Sequence, residues 1–235
     1  EKLKNVPILT GPDRFQTGRY ALKNYEVDTL ILDDGFQHLA LRRDLDILLC
    51  DHQRPLGNNY LFPAGELREP ARETRRADMV CFTRYSGGPV KFLPKYLGSI
   101  PQIKTHLRLD SIINMENGDV CDAEVLKGQP VIAFCGIAKP EGFRQILQDV
   151  QVQLKMFKAF PDHHEYSLND VKELESIASQ EGVKYILVSE KDAVKLKGMK
   201  FSLPFFKVVI DLEILEGREI FTKKITTITS RRGNL

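Results

Sequence analysis

Thr29-Leu30-Ile31-Leu32-Asp33-Asp34-Gly35-Phe36-Gln37-His38 is the stretch that decides how the rest of the chain is read. A short apolar run leads straight into two adjacent carboxylates and a glycine. Such a run, closed by a turn signal, predicts a buried strand of a parallel sheet. Ligands of open α/β sheets collect where strands end, which would put Asp33 and Asp34 at the edge of a site. Two neighbouring aspartates there suit Mg²⁺ shared with nucleotide phosphates, because this hard cation takes oxygen ligands and keeps several waters. The plainer alternative is an acidic turn with Gly35 in the left-handed conformation, since Asp-Asp-Gly is common in turns.

Working outward, Val6-Pro7-Ile8-Leu9 predicts a strand and Arg14 to Tyr25 a surface helix, so the opening is expected to be β-α-β. Downstream, Leu45 to Cys50 predicts another strand. Asp51 to Pro70 is rich in Gly, Pro and Asn and predicts a long ordered loop of the kind that usually carries function. A short helix near Ala71 to Arg76 and a buried strand at Met79 to Thr83 follow. Ser86-Gly87-Gly88-Pro89 is a turn, and with Pro94 and Pro101 it places a domain boundary near residue 100. Ile103 to Leu109 alternates like a strand with one wet face, and with a strand at Asp119 to Ala123 it would form a two-stranded connection. Strands at Val131–Phe134, Gln153–Phe157, Tyr185–Val188 and Phe206–Ile210 alternate with helices at Glu141–Asp149 and Leu168–Gln180. The expected fold is α/β, with residues 1–100 as one domain and 101–235 as a second α/β domain.

Composition narrows the class. The 235 residues are 42% hydrophobic and 28% charged, ordinary for a globular chain able to bury a core. A net charge of +2 gives no general attraction to nucleic acid. Basic residues cluster at Arg42-Arg43, from Arg68 to Arg76 and at Arg231-Arg232; such clusters suit phosphate groups when they border a site. Cys50, Cys81, Cys121 and Cys135 lack C-x-x-C spacing and are expected to be buried thiols, not a zinc site or a disulfide framework. No apolar stretch approaches the roughly 18 residues of a membrane span. The chain opens on Glu1-Lys2-Leu3-Lys4 without Met or a signal peptide, and it contains no G-x-x-x-x-G-K-[ST] loop to cradle phosphates.

The hexapeptide Asp33-Asp34-Gly35-Phe36-Gln37-His38 resembles the Walker-B-like segment of the tetraacyldisaccharide 4'-kinases, the lipid A 4'-kinases of Gram-negative bacteria. Further matches follow in the family's order: Gly11-Pro12-Asp13-Arg14, Pro63-Ala64-Gly65-Glu66-Leu67-Arg68-Glu69-Pro70, Phe134-Cys135-Gly136-Ile137-Ala138, Phe160-Pro161-Asp162-His163-His164 and Ser189-Glu190-Lys191-Asp192-Ala193-Val194. The resemblance implies a parallel-sheet P-loop-kinase core in residues 1–100, followed by a C-terminal α/β domain. It also implies that the chain is the C-terminal portion of a longer protein. The P-loop, a membrane-associating region and a catalytic Asp in a V-G-D-E-P-like segment would then lie upstream of Glu1. The implied reaction moves the γ-phosphoryl of ATP, with Mg²⁺, to the 4'-hydroxyl of a tetraacyldisaccharide 1-phosphate. The implied setting is the cytoplasmic face of the inner membrane, held peripherally, with no obligate protein partner; this chain alone is expected to be inactive.

The same resemblance distributes roles. Asp33 and Asp34 would serve the metal, with Glu69 as a further metal-associated carboxylate; Arg68 would contact phosphate and stabilise charge on the transferring group. Without the resemblance, Arg68 and Glu69 would read as a surface ion pair of little worth. Gln37 and His38 would hydrogen-bond the sugar or position the acidic pair; otherwise His38 is an ordinary loop histidine. Arg14 would meet the acceptor's existing phosphate, although Pro12 stands where the family often has Arg, and Asp13 equally suits a helix cap. Glu66 stands where the family often has Pro and inherits no role. A histidine of the Asp162-His163-His164 segment would pair with the upstream Asp to activate the acceptor hydroxyl, His163 being favoured over His164. Ser167 and Asp170 form a capping-box-like helix start. For Ser189-Glu190-Lys191-Asp192 the residues suggest only a strand-to-helix cap.

Two other functions compete. Asp162-His163-His164 also resembles the signature of metal-dependent DHH phosphoesterases, with Asp44 and Asp46 as further ligands of bound Mn²⁺. Alternatively, Arg14, Arg42, Arg43 and Arg68 would make the chain a non-catalytic module for an anionic lipid headgroup.

Overall fold

The computed structural model describes residues 5–90 and 94–230; the opening Glu1 to Lys4 and the basic pair Arg231-Arg232 lie outside the described residues. In chain order the elements begin with α1 (Arg14–Asn24), β1 (Ile47–Asp51), a 3-10 helix (Ala71–Arg76), β2 (Met79–Thr83), α2 (Lys95–Gly98) and β3 (Gln102–Asn114). They continue with β4 (Val120–Asp122), a second 3-10 helix (Ala123–Leu126), β5 (Pro130–Cys135), α3 (Pro140–Asp149), β6 (Gln153–Ala159) and α4 (Leu168–Gln180). The last are β7 (Tyr185–Ser189), α5 (Glu190–Ala193), β8 (Phe205–Glu216) and α6 (Arg218–Ser230). The fold is α/β. The β1–β2, β2–β3, β5–β6, β5–β7 and β7–β8 pairs are parallel, and β4 pairs antiparallel with β3.

The chain forms two compact units, Glu1–His106 with Ile214–Leu235, and Leu107–Glu213. It passes between them twice, in β3 and in β8. The two-stranded connection expected from 103–109 and 119–123 is therefore built differently, because β4 pairs with β3 inside the second unit and the second crossing is β8. Residues from Ile214 onward, expected in the C-terminal domain, group with the first unit. The physical cause is packing: Phe221 of α6 rests on Met79, Cys81 and Ile103. Gly217 makes the entry to α6 at φ 82, and a Cβ there would collide with the Gln102 carbonyl.

In the first unit β2 is buried on both faces, as a near-continuous apolar strand requires. Val80 and Phe82 pack with Cys50, Leu56 and Leu97, while Met79 and Cys81 pack with Ile103 on the opposite face. Helix α1 starts where Asp13 accepts hydrogen bonds from the backbone N–H of Phe15 (2.9 Å) and Gln16 (3.0 Å). The strands expected at Val6–Leu9 and Thr29–Leu32 are not formed. Ile8 is 75% exposed and Ile31 93% exposed. Apolar content alone does not make a strand; its backbone needs a ladder partner, and among the described residues none lies beside either run. The opening is thus loop–helix–loop.

The second unit is covered on both sides. From β5, Ile132 and Phe134 point to a core with Val171, Leu174 and Ala178 of α4. Val131, Ala133 and Cys135 point to one with Phe143, Ile146 and Leu147 of α3. Phe134 meets Phe160, Tyr166 and Phe205 edge-on at 6.1, 5.4 and 5.9 Å, contacts worth about 0.5–1.5 kcal/mol each beyond area burial. Cys50, Cys81 and Cys135 are buried free thiols as expected, but Cys121, on the short strand β4, is half-buried.

Candidate functional site

Asp33 and Asp34 stand on an irregular turn, not at a strand end, and both are exposed. The left-handed residue is Asp34 (φ 52), not Gly35. Short polar side chains tolerate that conformation better than most. Gly35 has another constraint: a Cβ would lie 2.7 Å from the Leu32 Cβ. The His38 N–H closes the turn on the Gly35 carbonyl at 3.0 Å.

Two distant segments meet this turn. Arg68 Nη1 lies 3.9 Å from Asp34 Oδ2, with both side chains largely exposed, and the Gln37 amide donates weakly to Glu69 Oε1 at 3.5 Å. Arg76 does more. Its guanidinium donates to both Glu69 oxygens (2.8 and 3.1 Å), to Glu73 Oε2 (2.9 Å) and to the Phe36 carbonyl (3.3 Å), and lies 4.7 Å over the Phe36 ring. Glu69 is therefore already satisfied by a cation, which makes it a poor direct Mg²⁺ ligand in this arrangement. The exposed carboxylates of Asp33 and Asp34 are the kind of oxygen donors Mg²⁺ takes beside phosphate and water.

The long loop that delivers Arg68 and Glu69 is ordered by its own backbone. Phe62 N–H donates to the Leu67 carbonyl at 2.9 Å and Leu67 N–H to the Tyr60 carbonyl at 3.1 Å. Of the arginines expected to face an anion, Arg43 is turned inward, donating to the His38 and Leu41 carbonyls (2.5 and 2.8 Å) and to Asp46 Oδ2 (3.2 Å). Arg14 is exposed at the start of α1 and donates to the Gly11 carbonyl at 2.5 Å. Asp46, one of the aspartates of the phosphoesterase alternative, is held by Arg43 in the first unit, whereas Asp162 to His164 belong to the second. Among the described residues no group of three or more His, Cys, Asp or Glu is placed to hold a metal.

In the second unit, Asp162-His163-His164 follows β6, and its two rings have different surroundings. His163 is left-handed (φ 62) and its side chain is 75% exposed; a non-glycine residue held there stores roughly 1–3 kcal/mol. Its Nε2 lies 3.6 Å from Asp162 Oδ2, and Lys191 Nζ lies 3.6 Å from Asp162 Oδ1. His164 is half-buried, stacked on Phe160 at 4.5 Å, with Nε2 3.3 Å from Asp170 Oδ2. Asp170 also accepts from the Ser167 N–H (2.8 Å) and hydroxyl (2.7 Å), so the expected capping box forms. Burial raises the Asp170 pKa, but Ser167 and His164 outweigh it and hold the carboxyl below its ordinary value.

Behind these histidines sits Asp192, fully buried. It accepts from the Gly136 N–H (2.8 Å), the Ser189 hydroxyl (2.6 Å) and Lys195 Nζ (2.8 Å). Burial raises its pKa; Lys195, Ser189 and Gly136 together lower it below the usual carboxylate value. Tyr166 is buried nearby, and burial followed by the Asp192 charge pushes its hydroxyl pKa up. The sequence pointed to a cap at Ser189–Asp192, and the cap is present, with Ser189 Oγ accepting the Asp192 N–H at 3.2 Å. It gave no signal that Asp192 reaches Gly136. Nor did it single out Arg76, whose only hint is the spacing of Glu69, Glu73 and Arg76 around a short helical turn.

A family model described as tetraacyldisaccharide-1-P 4'-kinase (LpxK) matches residues 1–229. The curated tetraacyldisaccharide 4'-kinase of Syntrophus aciditrophicus is 38% identical over 223 residues, covering 89% of this chain and 60% of the relative. That of Pelobacter propionicus is 39% identical over 198 residues, covering 84% of this chain and 54% of the relative. The crystal structure of LpxK from Aquifex aeolicus in complex with ATP is similar with a TM-score of 0.67 at 32% identity, over 92% of this chain and 62% of that one. The chain thus spans little more than half the length of these relatives.

Proposed function

The chain belongs to the tetraacyldisaccharide-1-P 4'-kinase family, and from that premise we propose that its residues serve transfer of the γ-phosphoryl group of ATP to the 4'-hydroxyl of tetraacyldisaccharide 1-phosphate in the full-length protein. The observation that carries this proposal is the meeting of Asp34 with Arg68, 3.9 Å apart, on the turn bearing the family's Asp-Asp-Gly-Phe-Gln-His segment. Opposite charges side by side and open to solvent suit a metal–triphosphate ligand, which presents both signs at once. ATP is the ligand named for the Aquifex aeolicus relative.

Asp33 and Asp34 would hold Mg²⁺, which when bound neutralises charge on the phosphates. Arg68 would bind a phosphoryl oxygen, and phosphoryl transfer depends mainly on such positioning and electrostatics. Glu69 acts through Arg76 and Gln37, fixing the turn instead of binding metal. Gln37, His38 and the exposed Arg14 are the polar groups proposed for the phosphorylated sugar acceptor. His163 is the better candidate to take the acceptor proton: its ring is open to solvent, while His164 is stacked and tied to Asp170. These 235 residues by themselves, lacking a G-x-x-x-x-G-K-[ST] loop, are expected to give no turnover. A peripheral position on the cytoplasmic face of the inner membrane fits a lipid acceptor; among the described residues no helix is long and apolar enough to cross a membrane.

The test is a phosphoryl-transfer assay of the full-length protein with Mg-ATP and tetraacyldisaccharide 1-phosphate. Phosphorylated acceptor that is lost in the Asp34→Ala variant supports the proposal. A folded full-length protein that transfers nothing overturns it.

A further inference from the structure

Asp192 is linked to the histidine segment by a short chain of main-chain contacts, all inside the second unit. Its carboxylate takes the Gly136 N–H at 2.8 Å, and the carbonyl of the same glycine shares the His163 N–H, at 3.3 Å, with Asp162 Oδ1, at 3.0 Å. One residue earlier, the Cys135 carbonyl takes the Phe160 N–H at 2.8 Å. The end of β5 is thus the surface on which the segment from Phe160 to His164 is laid. Gly136 makes that approach possible. A Cβ there would stand 3.0 Å from the Pro161 carbonyl oxygen, 3.2 Å from the His164 Cβ and 3.2 Å from the Tyr166 hydroxyl.

We propose that Asp192 is a positioning residue for His163, anchoring the backbone of Gly136 through its N–H so that the following carbonyl meets the left-handed backbone of the histidine. The deduction rests on the preceding proposal that His163 serves the kinase reaction, and on three features of the contact. Asp192 is wholly buried and far along the chain from Gly136, so its carboxylate fixes a relation that no local hydrogen bond supplies. Its own orientation is set twice, by the Ser189 hydroxyl on Oδ2 and by Lys195 on Oδ1. The residue at the far end of these contacts, His163, adopts φ 62, an uncommon backbone conformation for a residue other than glycine. A cap at the start of α5 needs the Ser189 hydroxyl and the Asp192 N–H, and leaves the Asp192 carboxylate unexplained.

The experiment uses the full-length kinase. Asp192→Asn keeps the shape but replaces one of the two acceptor oxygens by an NH2, which must face either Lys195 or the Gly136 N–H and Ser189 hydroxyl, so the hold on the Gly136 backbone loosens. The expected result is a fall in kcat of about 10- to 100-fold, as small misplacements of a reacting group produce, with KM for ATP changed less than about twofold. In a His163→Ala background the same substitution is expected to add little, because the two act through one group. Should Asp192→Asn fail to fold, Gly136→Ala makes the test by pressing a methyl group on Pro161 and His164 while leaving every charge in place; the same kcat loss and the same masking by His163→Ala are expected. Wild-type kcat in folded Asp192→Asn, or full additivity with His163→Ala in either series, overturns the positioning role. Absence of transfer by the wild-type protein instead strikes the underlying kinase proposal, whereas full activity of His163→Ala overturns the positioning role by leaving His163 no part in the reaction.

Discussion

Arg76 grips Glu69 with both hydrogen bonds from one nitrogen, Nη2, 2.8 Å from Oε1 and 3.1 Å from Oε2, while that nitrogen also reaches the Phe36 carbonyl at 3.3 Å. This ties the Asp33–His38 turn to the 3-10 helix and to the end of the long loop. Arg76→Ala leaves Glu69 half-buried without its cation and frees the Phe36 peptide, so unfolding free energy should fall by about 1–3 kcal/mol. Arg76→Lys should recover only part, since an ammonium lacks the planar fork and the stacking over Phe36. Denaturant unfolding of both variants checks this, and equal stability of Arg76→Lys and wild type counts against it.

The Asp33–Asp34 pair should be visible as a metal requirement. Asp34→Asn removes a charged oxygen donor but keeps the size of the side chain and tolerates the left-handed backbone. The Mg²⁺ concentration for half-maximal turnover of the full-length protein should rise about tenfold or more, whereas Glu69→Gln should shift it far less. A metal titration at saturating ATP decides between them; equal shifts would return Glu69 to the metal.

The legible parts of the fold were those whose signal is local. Met79–Thr83 and Leu168–Gln180 were read from the sequence with these bounds, one as a buried strand and the other behind a capping-box-like start. Thr29–Leu32 has the same apolar signature as β2 and yet forms no strand, because pairing is not encoded in the run itself. Helix α6 was missed: it buries no side chain and its anchoring rests on Phe221 and Gly217. At the site, the resemblance picked out groups that mostly face solvent, such as Asp33, Asp34, Arg68 and His163. It gave no chemical role to Arg76 or Asp192, whose work is done by contacts across 40 and 56 positions of chain.

The two histidines should separate function from stability. His163 is exposed, so His163→Ala should leave the melting temperature almost unchanged while turnover falls about 100-fold or more, the usual worth of a positioned base. His164 stacks on Phe160 and meets Tyr166 edge-on at 5.0 Å. His164→Ala should therefore cost about 1–2 kcal/mol of stability. Parallel kinetics and thermal melts check both, and the reverse pattern would exchange their roles.

Thiol reactivity should follow burial. Burial pushes Cys50 and Cys135 up to about 11, so both stay protonated and shielded near neutral pH. Cys121 is half-buried on β4. Brief alkylation of the native protein followed by peptide mapping should find label on Cys121 well before the other three; early label on Cys135 would show that the β5 end opens readily.

Acid should weaken the second unit through Asp192 and Asp170. Both carboxyls lie below their ordinary value of 3.8 in the folded chain, so the unfolded chain binds these protons first as pH falls. Their contribution is therefore fully present above about pH 4 and fades as the pH drops from 3.8 through the lower folded values. Asp192→Asn removes one of the two contributions at every pH. Its deficit against wild type should be largest at about pH 6, begin to shrink below about pH 4 and be smaller still at about pH 3. Urea midpoints at those three values test the sign: a deficit that stays constant or widens toward low pH would mean that Asp192 is not held as a carboxylate by Lys195, Ser189 and Gly136.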